Sequence, residues 1–183
     1  MVNLVNDVHD DQINGLVSNI VLTNFFIHLV QIVFNVVQNF TESNKDENNN
    51  LSHSQLKIIE SLFLSILNFL SKVSCNSDVF VNHLTEKQQH YIDNLMAISK
   101  FVEIDDKMFD SLAVAVVGRN LNDIKDVNEI DIISQVAVRL IIELTYNTNL
   151  YSKVLTLIDK LTENSVTNQI ICYKSGIFYF FID

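Results

Sequence analysis

Proline is absent from this chain, and its 183 residues include only three glycines, Gly15, Gly118 and Gly176. β-Sheet proteins need many tight turns, which glycine and proline usually mark, whereas Asn, Ser and Asp are sufficient to join helices. Because 48% of the residues are hydrophobic, the chain is also too apolar to be disordered. We therefore predict an all-α fold in which residues 1–183 form one domain, since this length suits a single core.

Positive charge is also scarce, with 12 Lys and Arg against 22 Asp and Glu and a formal net charge of −10. Such an acidic chain is poorly suited to the phosphate backbone of nucleic acid, so we expect no nucleic-acid partner. A partner that is steered by charge should be basic.

Cysteine is limited to Cys75 and Cys172, which is too few for the disulfide scaffold of a small secreted protein. Asp10 and Asp11 stand where a signal peptide would carry positive charge. We therefore expect two unpaired thiols and a cytoplasmic location, with a nuclear location as the alternative.

No Asp, Glu, Lys or Arg occurs in the 30 residues from Gln12 to Thr41, a length sufficient to cross a bilayer. Polar residues nevertheless recur every three or four positions in this run, which places them on one face of a helix. In hydrocarbon each of these groups would need a partner. The pattern therefore predicts an amphipathic helix that packs on protein, and no membrane span. The polar residues are Asn24, His28, Gln31, Asn35 and Gln38.

Hydrophobic periodicity predicts a series of helices joined by short polar connections. Ser52 with Gln55, and Thr85 with Gln88, form capping-box patterns in which Ser or Thr is followed three residues later by Gln. Gly118 should end a helix in the left-handed conformation. The polar tract at 42–52 should be a mobile loop, and residues 170–183 should form either a hairpin or a final helix. Helices are expected at about 12–40, 53–74, 78–84, 87–102, 105–118, 128–147 and 149–162.

Three of the predicted helices end in a similar way. Val37-Gln38-Asn39-Phe40 and Ile66-Leu67-Asn68-Phe69 each precede a short polar exit, and Ile141-Ile142-Glu143-Leu144 carries Glu143 in place of the asparagine. This pattern resembles the end of the third helix of an armadillo repeat. The resemblance implies an irregular, right-handed armadillo- or HEAT-like α-solenoid. It is irregular because the three patterns are 29 and 75 residues apart, where the family repeats about every 40. A compact helical bundle is the alternative.

The same resemblance implies a binding surface. In the armadillo family the asparagine of this pattern faces a concave groove and holds the backbone of an extended partner. Carried over residue by residue, this predicts a shared surface formed by Asn39, Asn68 and Glu143, with Asn35 one helical turn before the first of them. The negative charge of the chain favours a partner segment that carries Lys or Arg. Alternatively, these side chains are only the solvated face of amphipathic helices.

A second resemblance lies at the end of one predicted helix. Val114, Val117, Gly118 and Leu121 match the apolar and glycine positions of the short death motif in the B-cell-lymphoma family of apoptosis regulators, although Arg119 replaces its acidic residue. This resemblance implies a helical bundle that binds an amphipathic helix in a groove.

No constellation of reactive residues in the sequence indicates an enzyme. His83 and His90 stand seven residues apart with no Cys or carboxylate at ligand spacing, so we expect no metal site. No glycine-rich turn frames Cys75, and three glycines are too few for a usual phosphate-binding loop. The sequence therefore predicts a non-enzymatic scaffold or adaptor that needs no cofactor and binds another protein. Self-association is a further alternative.

Overall fold

A computed structural model describes residues 21–43, 51–119, 130–146 and 148–177. All regular structure in these ranges is helical, which confirms the predicted all-α fold. A 3₁₀ turn at Gln88–His90 accompanies the α-helices. The α-helices are α1 (Val21–Ser43), α2 (His53–Ser74), α3 (Asp78–Glu86), α4 (Ile92–Ser99), α5 (Asp106–Val117), α6 (Gln135–Thr145), α7 (Tyr151–Thr162) and α8 (Val166–Lys174).

Five of these helices begin at a side-chain cap. In each, a Ser or Asp side-chain oxygen accepts a hydrogen bond from the backbone N–H three residues further on, which satisfies one of the open donors of the first turn. The capping box predicted at Ser52 is confirmed, since Gln55 N donates to Ser52 Oγ and Ser52 N donates to Gln55 Oε1. The caps are Ser52 for α2, Ser77 for α3, Asp105 for α5, Ser134 for α6 and Ser165 for α8.

The long helix predicted to follow Thr85 is wrong. Thr85 lies inside α3, where its Oγ1 donates to Val81 O at 2.9 Å instead of capping a new helix. The chain then makes the 3₁₀ turn and bends at Tyr91, whose φ is −139°. The Tyr91 hydroxyl donates to Leu84 O at 3.0 Å in the protein interior. This hydrogen bond holds the bend, so α4 starts only after it.

The helix predicted to open at Asn128 begins later, at Gln135, and Asn128 itself lies outside the described residues. Residues 130–134 form no helix, because their backbone is engaged by other elements. It bonds to the side chain of Asn168 on α8 and to the C-terminal turn of α5. Tertiary hydrogen bonds therefore replace the helical ones in this segment.

Other boundaries differ by a few residues. α1 continues to Ser43, so the first two positions of the loop predicted at 42–52 are helical, and residues 44–50 lie outside the described part. Gly118 adopts a φ of 72° and ends α5 in the left-handed conformation, as predicted. The final-helix alternative is confirmed for residues 170–174, which belong to α8, whereas residues 178–183 lie outside the description.

Within the described ranges, α1 alone has the length and composition of a membrane span, with a mean hydropathy of 1.6 over an 18-residue window. A mostly buried core helix and a signal sequence near the N-terminus can have the same properties, and 28% of this window is buried. All five residues of its predicted polar stripe are exposed, which confirms the amphipathic pattern. Its buried face, centred on Phe26, Val30, Val33 and Val37, packs against neighbouring helices.

Aromatic side chains join the first four helices of the core. The ring of Phe26 on α1 lies 6.1 Å from that of Phe69 on α2 and 6.2 Å from that of Phe80 on α3. Tyr91, next to α4, meets Phe26 edge to face at 5.4 Å. Offset and edge-to-face contacts of this kind add to the free energy gained from burial alone.

The order of helix contacts forms a circuit. α1 packs on α2, α2 on α5 and α5 on α6, while α4 contacts both α6 and α1. α7 and α8 pack on α6 and on each other. The short connection from α4 to α5 therefore lies beside both the start of α2 and the end of α6, and the candidate site is built there.

Candidate functional site

Asn35 belongs to a chain of amides that links two helices. The side chain of Gln31 donates to Asn35 Oδ1 at 2.9 Å and accepts, through its Oε1, from Asn94 Nδ2 on α4 at 2.8 Å. Asn39, one turn later, is also exposed on α1. These amides lie on the surface, and part of their hydrogen-bonding capacity already connects α1 to α4.

Asn68 is exposed on α2, and its Oδ1 accepts from Ser111 Oγ on α5 at 2.8 Å. Glu143 differs from both asparagines, because its side chain is only 12% exposed and its Oε1 accepts from Arg139 Nε at 2.7 Å. Among the described residues, no hydrogen bond or ion pair joins any two of Asn35, Asn39, Asn68 and Glu143. Their shared surface stays a prediction.

Glu143 lines a cleft that sequence reasoning did not anticipate. A cleft of about 500 Å³ lies between the end of α6 and the connection from α4 to α5, and a second of about 570 Å³ lies between that connection and the start of α2. The two meet at Val102 and Glu103, so we treat them as one connector groove. It is lined by Leu51, Leu56, Glu60, Ser99, Lys100, Phe101, Val102, Glu103, Ile104, Glu143, Leu144, Tyr146, Thr148 and Asn149.

The floor of the connector groove is apolar and its charge is mostly negative. Half-buried Leu51, Leu56, Phe101 and Val102 supply the floor of the half next to α2. Three carboxylates and one ammonium line the groove as a whole, namely those of Glu60, Glu103, Glu143 and Lys100. The positive charge of Arg139 offsets the negative charge of Glu143. The exposed carboxylate of Glu103 is therefore the main charge at the point where the two halves meet.

Local sequence explains why this connection stays non-helical. Asp105 caps α5 by accepting from Met108 N at 2.9 Å, and a capping residue has extended backbone, here with φ −96° and ψ 176°. Phe101 and Val102 close the last turn of α4 through hydrogen bonds to Ile98 O and Ser99 O. Glu103 and Ile104 lie between these two ends and belong to neither helix.

The His and Cys residues considered above as metal ligands or nucleophiles are isolated from one another. In the described part of the chain no three His, Cys, Asp or Glu side chains come together as metal ligands, and His83 lies 3.2 Å from Glu86 on its own helix. Cys75 and Cys172 are unpaired, as predicted. Burial raises the pKa of the Cys172 thiol to about 11, and partial desolvation raises the pKa of the Cys75 thiol although that residue is exposed. Both are therefore protonated at neutral pH and are weak nucleophiles.

Comparison with protein families, with characterised proteins and with solved structures finds no match to this chain. The structure describes only part of the segment that resembles the death motif. Gly118 and the exposed Arg119 are described, whereas Leu121 lies outside the described residues. The groove was not predicted because its walls come from three segments far apart in the sequence. The one local signal was the apolar pair Phe101-Val102 immediately before the acidic turn.

Proposed function

We propose that this chain is a non-enzymatic protein–protein interaction module that holds a basic, extended segment of a partner protein in the connector groove. The observation that carries the proposal is the lining of the groove, where an apolar floor adjoins more carboxylates than cations. Interfaces between proteins combine an apolar centre with a polar rim. Carboxylates at the rim would attract Lys and Arg side chains and reject acidic segments.

The backbone at the centre of the groove supports an extended partner rather than a helical one. The N–H of Glu103, an exposed residue that lines both halves of the groove, donates no backbone hydrogen bond to another described residue. A backbone carbonyl of an extended segment placed alongside would accept a hydrogen bond from this N–H, as a neighbouring strand does in β-augmentation.

We also infer that the helices form a compact bundle rather than an open solenoid. In a solenoid each repeat contacts only its neighbours along the array. Here α4 contacts both α1 and α6, and this closes the circuit of helices. The armadillo-like endings of α1 and α2 would then belong to two helices that pack side by side within one bundle.

A peptide selection tests the proposed function. A random peptide library is selected against the immobilised chain, and the affinity of the selected peptides is measured by fluorescence anisotropy. Glu103→Lys should weaken binding by about tenfold or more, because it places like charges together at the centre of the groove. Glu42→Lys is the matched control, since Glu42 is exposed on α1 and the change in net charge is identical; its effect should stay within about twofold.

Three outcomes would contradict the proposal. Equal losses in the two variants would mean that only net charge matters. Selected peptides whose apolar residues recur every three or four positions would favour the alternative function, an apoptosis regulator that binds an amphipathic helix. If Asn68→Ala abolishes binding and Glu103→Lys does not, the peptide binds instead at the surface that the armadillo resemblance implies.

A further inference from the structure

A polar pocket of about 390 Å³ lies between α6, the C-terminal end of α8 and the 3₁₀ turn. We call it the polar pocket, because none of the described residues that line it has an apolar side chain. Its volume is within the range of small-molecule sites, and it shares only Glu143 with the connector groove. The lining residues are Gln88, Gln135, Arg139, Glu143, Lys174, Ser175 and Gly176.

The charge of the polar pocket is opposite to that of the chain as a whole. Two cationic side chains, those of Arg139 and Lys174, line it together with the single carboxylate of Glu143. The whole chain, in contrast, carries a formal net charge of −10. A pocket with an excess of positive charge raises the local concentration of anions.

Two helices bring the cations to the polar pocket. Gln135, Arg139 and Glu143 stand four residues apart, so they share one face of α6. Gln135 Nε2 donates to Lys174 O at 2.9 Å. This hydrogen bond holds the end of α8, and with it the backbone of Lys174, beside that face of α6.

Arg139 has hydrogen-bond donors that its ion pair does not use. Its Nε donates to Glu143 Oε1 at 2.7 Å, whereas its two Nη groups have no hydrogen-bond partner among the described residues. The side chain is 38% exposed, so these donors are accessible to a ligand. A guanidinium edge of this kind holds two oxygens of one anion in a bidentate contact.

Lys174 is not needed to complete the end of α8. Basic side chains near a helix C-terminus often bind the last carbonyl groups, but the last four carbonyl groups of α8 already have other donors. The exposed Lys174 ammonium forms no ion pair within the described ranges, so it remains available to a ligand. The donors at the helix end are Ser175 N for Ile171 O, Ser175 Oγ for Cys172 O, Gly176 N for Tyr173 O and Gln135 Nε2 for Lys174 O.

We propose that the polar pocket binds a small, hydrophilic phosphomonoester. At neutral pH a phosphate monoester carries about two negative charges and three acceptor oxygens, which matches one guanidinium edge and one ammonium. A carboxylate offers a single charge and two oxygens. The amides of Gln88 and Gln135 contain both donors and acceptors, so they suit hydroxyl groups on the rest of the ligand. The proposal does not depend on a protein partner in the connector groove.

Titration with glycerol 3-phosphate at constant ionic strength, followed by the backbone amide NMR shifts of the full chain, tests the proposal. The dissociation constant should be on the order of 1 mM at physiological salt, because the pocket is open to water and its charges are partly screened. Glycerate, which has a carboxylate in place of the phosphate, should bind about tenfold more weakly. Absence of binding up to about 20 mM glycerol 3-phosphate, or equal affinity for glycerate, would overturn the proposal.

Three substitutions locate the binding site. Lys174→Gln should raise the dissociation constant by about fivefold or more, because it removes one of the two cations. Lys160→Gln is the matched control, since Lys160 is exposed on α7 and does not line the polar pocket; its effect should stay within about twofold. Equal effects of these two variants would mean that the ligand responds only to net charge, and would refute the site.

Arg139→Lys keeps the charge but removes the guanidinium edge, so it should weaken binding by about threefold to tenfold. Unchanged affinity in this variant would contradict the bidentate contact. Circular dichroism of every variant verifies that the helices are intact.

Discussion

Replacing Asn168 with alanine should destabilise this fold more than any surface change of equal size. The Asn168 amide is fully buried and makes three hydrogen bonds. Its Nδ2 donates to Ile130 O and Leu161 O at 2.7 Å each, and its Oδ1 accepts from Ile132 N at 2.8 Å. The three partner residues are only 1–3% exposed. Alanine would therefore leave two carbonyl groups and one N–H buried without a partner.

The size of the effect follows from those three groups. A buried polar group that loses its partner costs about 1–3 kcal/mol, and local relaxation with entry of water lowers the sum. We expect the free energy of unfolding to fall by about 3–5 kcal/mol. For a chain of this length that corresponds to a decrease in Tm of about 6–20 °C.

Urea and thermal unfolding followed by circular dichroism measure this change. Asn24→Ala removes the same atoms from an exposed position on α1, so its effect should stay within about 0.5 kcal/mol. Hydrogen exchange provides a second readout, because the Ile132 amide should lose protection in Asn168→Ala. A loss of less than about 1 kcal/mol with unchanged Ile132 protection would refute the role assigned to this side chain.

Three further predictions concern the core, the thiols and the overall shape. Tyr91→Phe should lower the free energy of unfolding by about 1–3 kcal/mol, because it removes only the hydroxyl that donates to the buried Leu84 O; a neutral effect in urea titrations would contradict this. Burial raises the pKa of Cys172 from 9.0 to about 11, so the unfolded chain ionises first, and stability should fall as pH rises through this window. Cys172→Ala should make that decline shallower, and an unchanged slope would argue against the shift. Small-angle scattering of dilute, monomeric protein should give a radius of gyration of about 16 Å for a compact chain of 183 residues, whereas an open solenoid would give a clearly larger value.

Local sequence was sufficient wherever a helix end is determined by its own residues. The start of α2 at His53 was predicted as it is found, because Ser52 and Gln55 form a capping box that needs no tertiary contact. The same pattern failed at Thr85, because a Thr hydroxyl can equally bond to the carbonyl four residues earlier within a helix. The hydrogen bond that bends the chain joins the Tyr91 hydroxyl to Leu84 O, seven residues earlier. No short sequence pattern indicates it.

The candidate site was harder to predict than the helices. Glu143 was selected for its place in a helix-end pattern, and the structure puts it in a groove. The other walls of that groove come from residues 51–60 and 99–104, whose proximity depends on how α2, α4 and α6 pack. A periodic sequence pattern shows which face of a helix is apolar, but it does not show which two helices leave a gap between them.

α8 shows the same limit most clearly. Its sequence offers two opposite faces, one with Val166, Ile170 and Tyr173 and the other with Asn168 and Cys172. Hydrophobicity alone would turn the first face inward. Three buried hydrogen bonds from Asn168 instead tie the second face to Ile130, Ile132 and Leu161, and the apolar face is left in contact with water. Exposing that face has a free-energy cost, which the hydrogen bonds of the buried Asn168 amide help to offset.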